Sequence, residues 1–217
     1  MLVIGLGHRA RQGKNFVANF MRAQQPDMRL YAFADELKLY CKEHHDELLP
    51  RWQLASQTKQ VPACKEDPIY GYTKILQWYG TDVARKQDPD TWVKALAARL
   101  EVDEPEVAII TDVRFPNEAQ FIKEKGGYMV NVRRLLADGS QFVDTSRDPN
   151  HPSEIALDDY EYDFIIEVKD GDLKGLKQKS IGVWNLVHLL ESYPEDFSAR
   201  HFALDVVRDD DATGFKA

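Results

Sequence analysis

Short apolar runs alternate along the chain with longer stretches whose apolar residues recur at helical spacing. The runs at residues 2–6, 29–33, 107–111, 128–132 and 164–168 read as strands. Residues 107–111 make an apolar run ending in Thr111 and closed by Asp112, the pattern of a parallel strand buried on both faces. Between the strands, residues 14–24 carry Phe16, Val17, Phe20 and Met21 at helical spacing, with Phe16 expected in the core. Further helices are expected over 35–49, ended by Pro50, over 72–86, over 90–100 behind a cap from Asp88-Pro89-Asp90, from Pro116 to Gly126-Gly127, and over 173–190. Residues 50–70 read as loop, 135–160 as a polar, mobile excursion, and 193–217 as a polar tail. Strands alternating with helices predict an α/β fold with a mainly parallel sheet flanked by helices.

Composition narrows the function. The 217 residues are 43% hydrophobic, enough for a real core. A formal net charge of −8 argues against stable nucleic-acid binding, because phosphate backbones attract basic surfaces. The apolar runs are too short for a membrane span, and residues 1–6 lack the basic stretch of a signal peptide. Two cysteines, Cys41 and Cys64, make no metal pattern and fit a reducing, cytoplasmic location, with one disulfide between them left open. Against the acidic average, His8, Arg9, Arg11 and Lys14 crowd into one short segment, as a small phosphorylated ligand would require.

That segment, Gly5-Leu6-Gly7-His8-Arg9-Ala10-Arg11-Gln12-Gly13-Lys14-Asn15, follows a strand and opens a helix. Glycines there let successive N–H groups converge on one anion, the helix N-terminus adds positive charge, and Lys14 supplies a mobile cation. The strict phosphate-binding pattern is Gly-x-x-x-x-Gly-Lys-Ser/Thr. Here five residues separate Gly7 from Gly13, His8 holds the strict first-glycine position, and Asn15 stands where a hydroxyl would meet Mg²⁺. A plain strand-to-helix turn with exposed basic residues would share these features.

Two other segments bear on a nucleotide. Asp112 lies at the carboxyl end of a buried strand, where ligands bind in such sheets, and Arg114 follows with fork geometry for an anion. The alternative is a capped turn, with Asn117 and Glu118 dressing a helix start. Phe33, Asp35 and Lys38, with Gln77, Trp78, Arg85 and Trp92, supply rings, an amide and cations for a base-and-phosphate pocket. Those tryptophans also read as core, and Arg85 as a partner of Asp82 or Asp88.

Together the Gly13-Lys14 loop, Phe33-Ala34-Asp35-Glu36-Leu37-Lys38, Leu76-Gln77-Trp78-Tyr79-Gly80-Thr81 through Arg85, Asp88-Pro89-Asp90-Thr91-Trp92, Asp112-Val113-Arg114-Phe115-Pro116-Asn117-Glu118-Ala119 and His151-Pro152-Ser153-Glu154 resemble the deoxynucleoside monophosphate kinases. This family lies within the adenylate-kinase-like P-loop kinases and is often carried by bacteriophages. The resemblance spans about residues 2–190. It implies a three-layer P-loop kinase fold in one domain, 1–217, with an acceptor-binding insertion at about 33–100, a small mobile lid at about 133–160 and the tail at 193–217. It implies ATP and Mg²⁺ as cofactors and a deoxynucleoside monophosphate (dNMP) as acceptor, in the cytoplasm of a host if the chain is viral. A homodimer is left open.

The site residues follow from the same resemblance and the loop chemistry. Gly7, His8, Arg9, Ala10, Arg11, Gln12, Gly13, Lys14, Asn15, Arg133 and Arg134 would contact ATP. Phe33, Asp35, Lys38, Gln77, Trp78, Arg85, Trp92, Arg114, Asn117, Glu118 and Arg147 would contact the acceptor. Lys14, Arg85, Arg114 and Asp112 would be catalytic, with Asn15 and Asp112 toward Mg²⁺. The family commonly has Ser-Gly-Lys-Asp-Thr in its loop, and this chain places Phe16 at the hydroxyl position. Two alternatives stand beside this reading: a dephospho-CoA kinase-like enzyme with Asp35 as base, and a non-catalytic nucleotide-binding protein on the same scaffold.

Overall fold

The computed structural model describes residues 1–55, 75–76, 78–145 and 148–193, with side chains at 52–55 excepted. Gln77, Arg147, Cys64 and the tail from residue 194 lie outside the described residues. The elements run β1 (Leu2–Gly7), α1 (Lys14–Arg22), β2 (Arg29–Tyr31), α2 (Ala34–Glu43), α3 (His45–Ala55), the π-helical α4 (Trp78–Ala84), α5 (Arg85–Gln87), α6 (Thr91–Asp103), β3 (Val107–Val113), α7 (Pro116–Glu124), β4 (Tyr128–Leu135), α8 (Pro152–Ile155), β5 (Phe164–Lys169) and α9 (Leu173–Ser192). The architecture is α/β, as the pattern predicts. No helix among the described residues is long and apolar enough to cross a membrane.

The chain forms two compact units. The first, residues 1–30 and 105–217, contains the sheet, ordered β2-β3-β1-β4-β5. β1 runs parallel to β3 and β4, and β4 parallel to β5. Its core joins Ile4 and Leu6 of β1, Ile109 of β3, Val130 and Val132 of β4 and Ile166 of β5 to Val17 and Met21 of α1 and Val183, Trp184 and Val187 of α9. β1 lies at the centre, so its carboxyl end delivers the next loop to the middle of the sheet. Between the pairs Gly5–Ile110 and Gly7–Val113, β3 carries one residue more than β1, a bulge at Thr111–Asp112.

The second unit, residues 31–104, is helical. It buries Phe33, Leu37, Cys41, Leu48, Trp92, Leu96 and Leu100. Trp92 donates its indole N–H to the Gly80 carbonyl at 3.1 Å, tying α6 to the π-helix α4. Burial pushes the Cys41 thiol to about 12, leaving it an inert core residue.

Two expectations are corrected. Pro50 does not end a helix: the chain breaks earlier, at His44, whose ring stacks on Tyr40 at 4.1 Å, and Pro50 lies inside α3. A proline there forfeits one intrahelical bond, and the burial of Leu48 holds the turn regardless. Phe16 is not core but 53% exposed. The buried stripe of α1 is Lys14, Val17, Ala18 and Met21, and Phe16 falls off that phase.

Candidate active site

The loop after β1 is shaped by its backbone. Arg11 (φ 56) and Gly13 (φ 101) both take left-handed conformations, curling the chain before Lys14 begins α1. A non-glycine residue held there stores about 1–3 kcal/mol, a cost typical of ligand-holding loops. Lys14 is buried in the fold of the loop, its ammonium donating to the carbonyl of Arg9 at 2.5 Å and of His8 at 3.5 Å. Asn15 is exposed in the first turn of α1.

His8 and Gln12 face inward as supports. His8 is 3% exposed, with Nε2 2.7 Å from an Asp158 carboxylate oxygen and Nδ1 3.0 Å from the Tyr162 hydroxyl. A carboxylate can only accept, so Nε2 carries the proton and Nδ1 accepts from Tyr162, a neutral tautomer. Burial pulls the His8 pKa below its ordinary 6.5, against the opposing pull of Asp158. Burial alone would raise Asp158, but bonds from Arg9 and His8 outweigh it and hold that carboxyl below its usual value. Gly7 lets Tyr162 close in: a Cβ there would meet its hydroxyl at 2.7 Å. Gln12 donates to the Phe142 carbonyl (2.8 Å) and accepts the Arg134 N–H (2.7 Å), splicing the loop to β4.

The cations around the loop are ordered by acids. Arg9 forks onto Asp158 at 2.6–3.1 Å. Arg11 lies 3.3 Å from Asp144, Arg133 3.7 Å from Glu167, and Arg134 bonds Asp170 at 2.6 Å while its guanidinium covers the Phe142 ring. The Ala10 N–H donates to Glu154 at 2.9 Å.

Asp112 is half-buried at the bulge, one residue short of the end of β3. Glu118 reaches back from α7 to accept the backbone N–H groups of Arg114 (2.7 Å) and Phe115 (3.1 Å), so the capped turn exists. The Arg114 guanidinium goes elsewhere, to Glu154 at 2.7 Å and the Ser153 carbonyl at 3.2 Å. Asn117 is half-buried in the first turn of α7. One carboxylate and one amide, Asp112 and Asn15, fit a nucleotide-borne Mg²⁺, which keeps most of its shell as water and phosphate oxygens.

In the second unit, Phe33 and Trp92 are buried, and Trp78 is half-buried beside Tyr79. Asp35 accepts from Ala32 N–H and from Lys38. Arg85 donates to the Pro89 carbonyl at 3.1 Å. Sequence reasoning did not single out Asp158 or Tyr162, and assigned no role to Glu154. All three lie in or just beyond a polar stretch, and only the His-Pro-Ser-Glu sequence offered a signal.

No family model matches the chain. It is 30% identical over 186 residues to a protein of Acanthamoeba polyphaga mimivirus provisionally named a deoxynucleotide monophosphate kinase, covering 76% of this chain and 88% of that one. It is 40% identical over 103 residues to the deoxynucleoside-5′-monophosphate kinase of Escherichia phage T5, covering 43% of this chain and 39% of the phage protein. A solved structure from Thermus thermophilus superposes with TM-score 0.48 at 14% identity, over 85% of this chain and 96% of that one. With most of the mimivirus protein's length matched at this identity, the chain belongs to the deoxynucleoside monophosphate kinase family.

Proposed function

We propose that the protein transfers the γ-phosphoryl group of ATP to the 5′-phosphate of a deoxynucleoside monophosphate, giving ADP and the deoxynucleoside diphosphate. The observation that carries this is the loop at the end of the central strand, curled at Arg11 and Gly13 and closed on a buried lysine, in a chain of this family. A 5′-phosphate is already mostly ionised near neutral pH, since its second pKa is about 6. The acceptor therefore needs no general base, and positioning with charge neutralisation supplies the catalysis.

In this reading Lys14 swings from the carbonyls of His8 and Arg9 to the β- and γ-phosphates, and the N–H groups of Gly13, Lys14 and Asn15 face the same oxygens. Arg9, Arg11, Arg133 and Arg134 add positive charge around the donor. Asp112 and Asn15 would hold Mg²⁺, which when bound neutralises phosphate charge. Arg114 is assigned to the acceptor phosphate. The second unit's Phe33, Asp35, Lys38, Trp78, Arg85 and Trp92 are assigned to the acceptor nucleotide. Segment 133–160 is assigned the part of a lid that keeps water from the phosphoryl group.

Release of ADP from ATP and Mg²⁺, measured with each dNMP in turn, tests the reading. Release that depends on a dNMP is the expected result. Release that depends instead on dephospho-CoA, or no release with any acceptor, would overturn it.

A further inference from the structure

We infer that Glu154 is a positioning residue for this reaction, locking the Arg114 guanidinium to the phosphate loop; the inference rests on the kinase reading above. Its carboxylate is divided. Oε2 accepts the Ala10 N–H of the loop at 2.9 Å, and Oε1 accepts Arg114 Nη1 at 2.7 Å. The residue is 4% exposed, and a buried carboxylate is costly unless its charge and lone pairs are met. Here an arginine and a backbone N–H from distant parts of the chain both meet it.

The local sequence presents this carboxylate. His151 Nδ1 accepts the Ser153 N–H, Pro152 starts α8, and the Glu154 N–H donates to the His151 carbonyl at 2.7 Å. The Ser153 carbonyl takes a second bond from Arg114 Nη1. Four residues on, in the turn beyond α8, Asp158 holds His8 and Arg9. The turn from 154 to 158 thus grips three successive loop residues, 8, 9 and 10.

Arg114 is fixed at both ends by this arrangement. Glu118 anchors its backbone N–H, and Glu154 anchors its tip. Both of these side-chain bonds leave from Nη1, so the opposite edge of the guanidinium is the one presented to a phosphate. Without Glu154 the arginine regains rotamer freedom, and a misplacement of about 1 Å at a reacting group can cost about 100-fold in rate.

Glu154→Gln is the test, because the amide oxygen can satisfy only one of the two donors and its NH₂ opposes the other. We expect kcat to fall about 10- to 100-fold while the KM values change little and the fold is kept, with a lowered melting temperature from the broken buried pair. In an Arg114→Gln background the same substitution should change kcat by less than about threefold, since the group acted upon is gone. Unchanged kcat in Glu154→Gln, or full additivity in the double variant, would overturn the inference. Should Glu154→Gln not fold, Glu154→Asp keeps the charge but falls short of both donors, and the same kinetic loss is expected. Unfolding of both variants would assign the carboxylate to stability alone and also overturn it. Wild-type protein assayed alongside separates the two failures: an inactive wild type sinks the kinase reading, an active one with indifferent Glu154 variants sinks only this step.

Discussion

At the scale of single residues, the loop joins a displaceable cation to fixed supports. Lys14 donates to the carbonyls of His8 and Arg9, contacts that a phosphate can replace. His8 is different: both its nitrogens are committed, and it is neutral. This has a pH consequence. Its pKa is lowered in the folded state by burial, with Arg9 and Lys14 adding to that and Asp158 opposing it. The unfolded chain therefore takes up the proton first as pH falls through 6.5, and stability drops below that pH at up to about 1.4 kcal/mol per unit until the folded state also protonates. Urea unfolding of wild type and His8→Gln, compared between about pH 7.5 and about 5.5, measures this. Wild type should lose stability relative to the variant on the acid side; a constant difference would mean that His8 titrates alike in the folded and unfolded chain, and a relative gain that the fold holds it charged. The places of Lys14 at a helix start and of Asp112 near a strand end are legible in the sequence because spacing and strand ends constrain them. Asp158 and Tyr162 are not, since they reach His8 from 150 and 154 positions away, with no periodic pattern to mark them.

At the scale of elements, the five strands were legible because short, mostly apolar runs alternate with stretches of helical spacing and are bounded by turn residues. The phase of α1 was less so: Phe16, Val17, Phe20 and Met21 at helical spacing invited an inward Phe16, but the buried positions also include Lys14, which shifts the stripe. Glycines show where packing dictates an element. A Cβ on Gly80 of α4 would meet a Leu37 methyl of α2 at 2.5 Å, whereas one on Gly182 of α9 meets nothing within 4 Å. Gly80→Ala should therefore lower the unfolding free energy by about 1–3 kcal/mol, through overpacking. Gly182→Ala should raise it by about 0.5–1 kcal/mol, through helix propensity. Equal effects in denaturant titrations would show that the α2–α4 packing is looser than described.

At the scale of the molecule, the order of segments carries the family: a basic loop after the first strand, an inserted helical unit, then an Asp-Val-Arg-Phe-Pro-Asn-Glu turn after β3. Two charged side chains of the turn divide their work. Glu118 caps its own helix, while Arg114 crosses to Glu154, a pairing that no local pattern announces. In the proposed reaction a phosphoryl group passes from ATP to the 5′-phosphate of a dNMP through charge supplied by Lys14. The most direct measurement is ³¹P NMR of the purified full chain with ATP, Mg²⁺ and one dNMP at a time. The expected result is that the paired α- and β-phosphate resonances of the deoxynucleoside diphosphate rise with those of ADP, at a rate at least about 100-fold slower in Lys14→Ala that keeps its fold. No diphosphate with any dNMP, or undiminished transfer by Lys14→Ala, would contradict it.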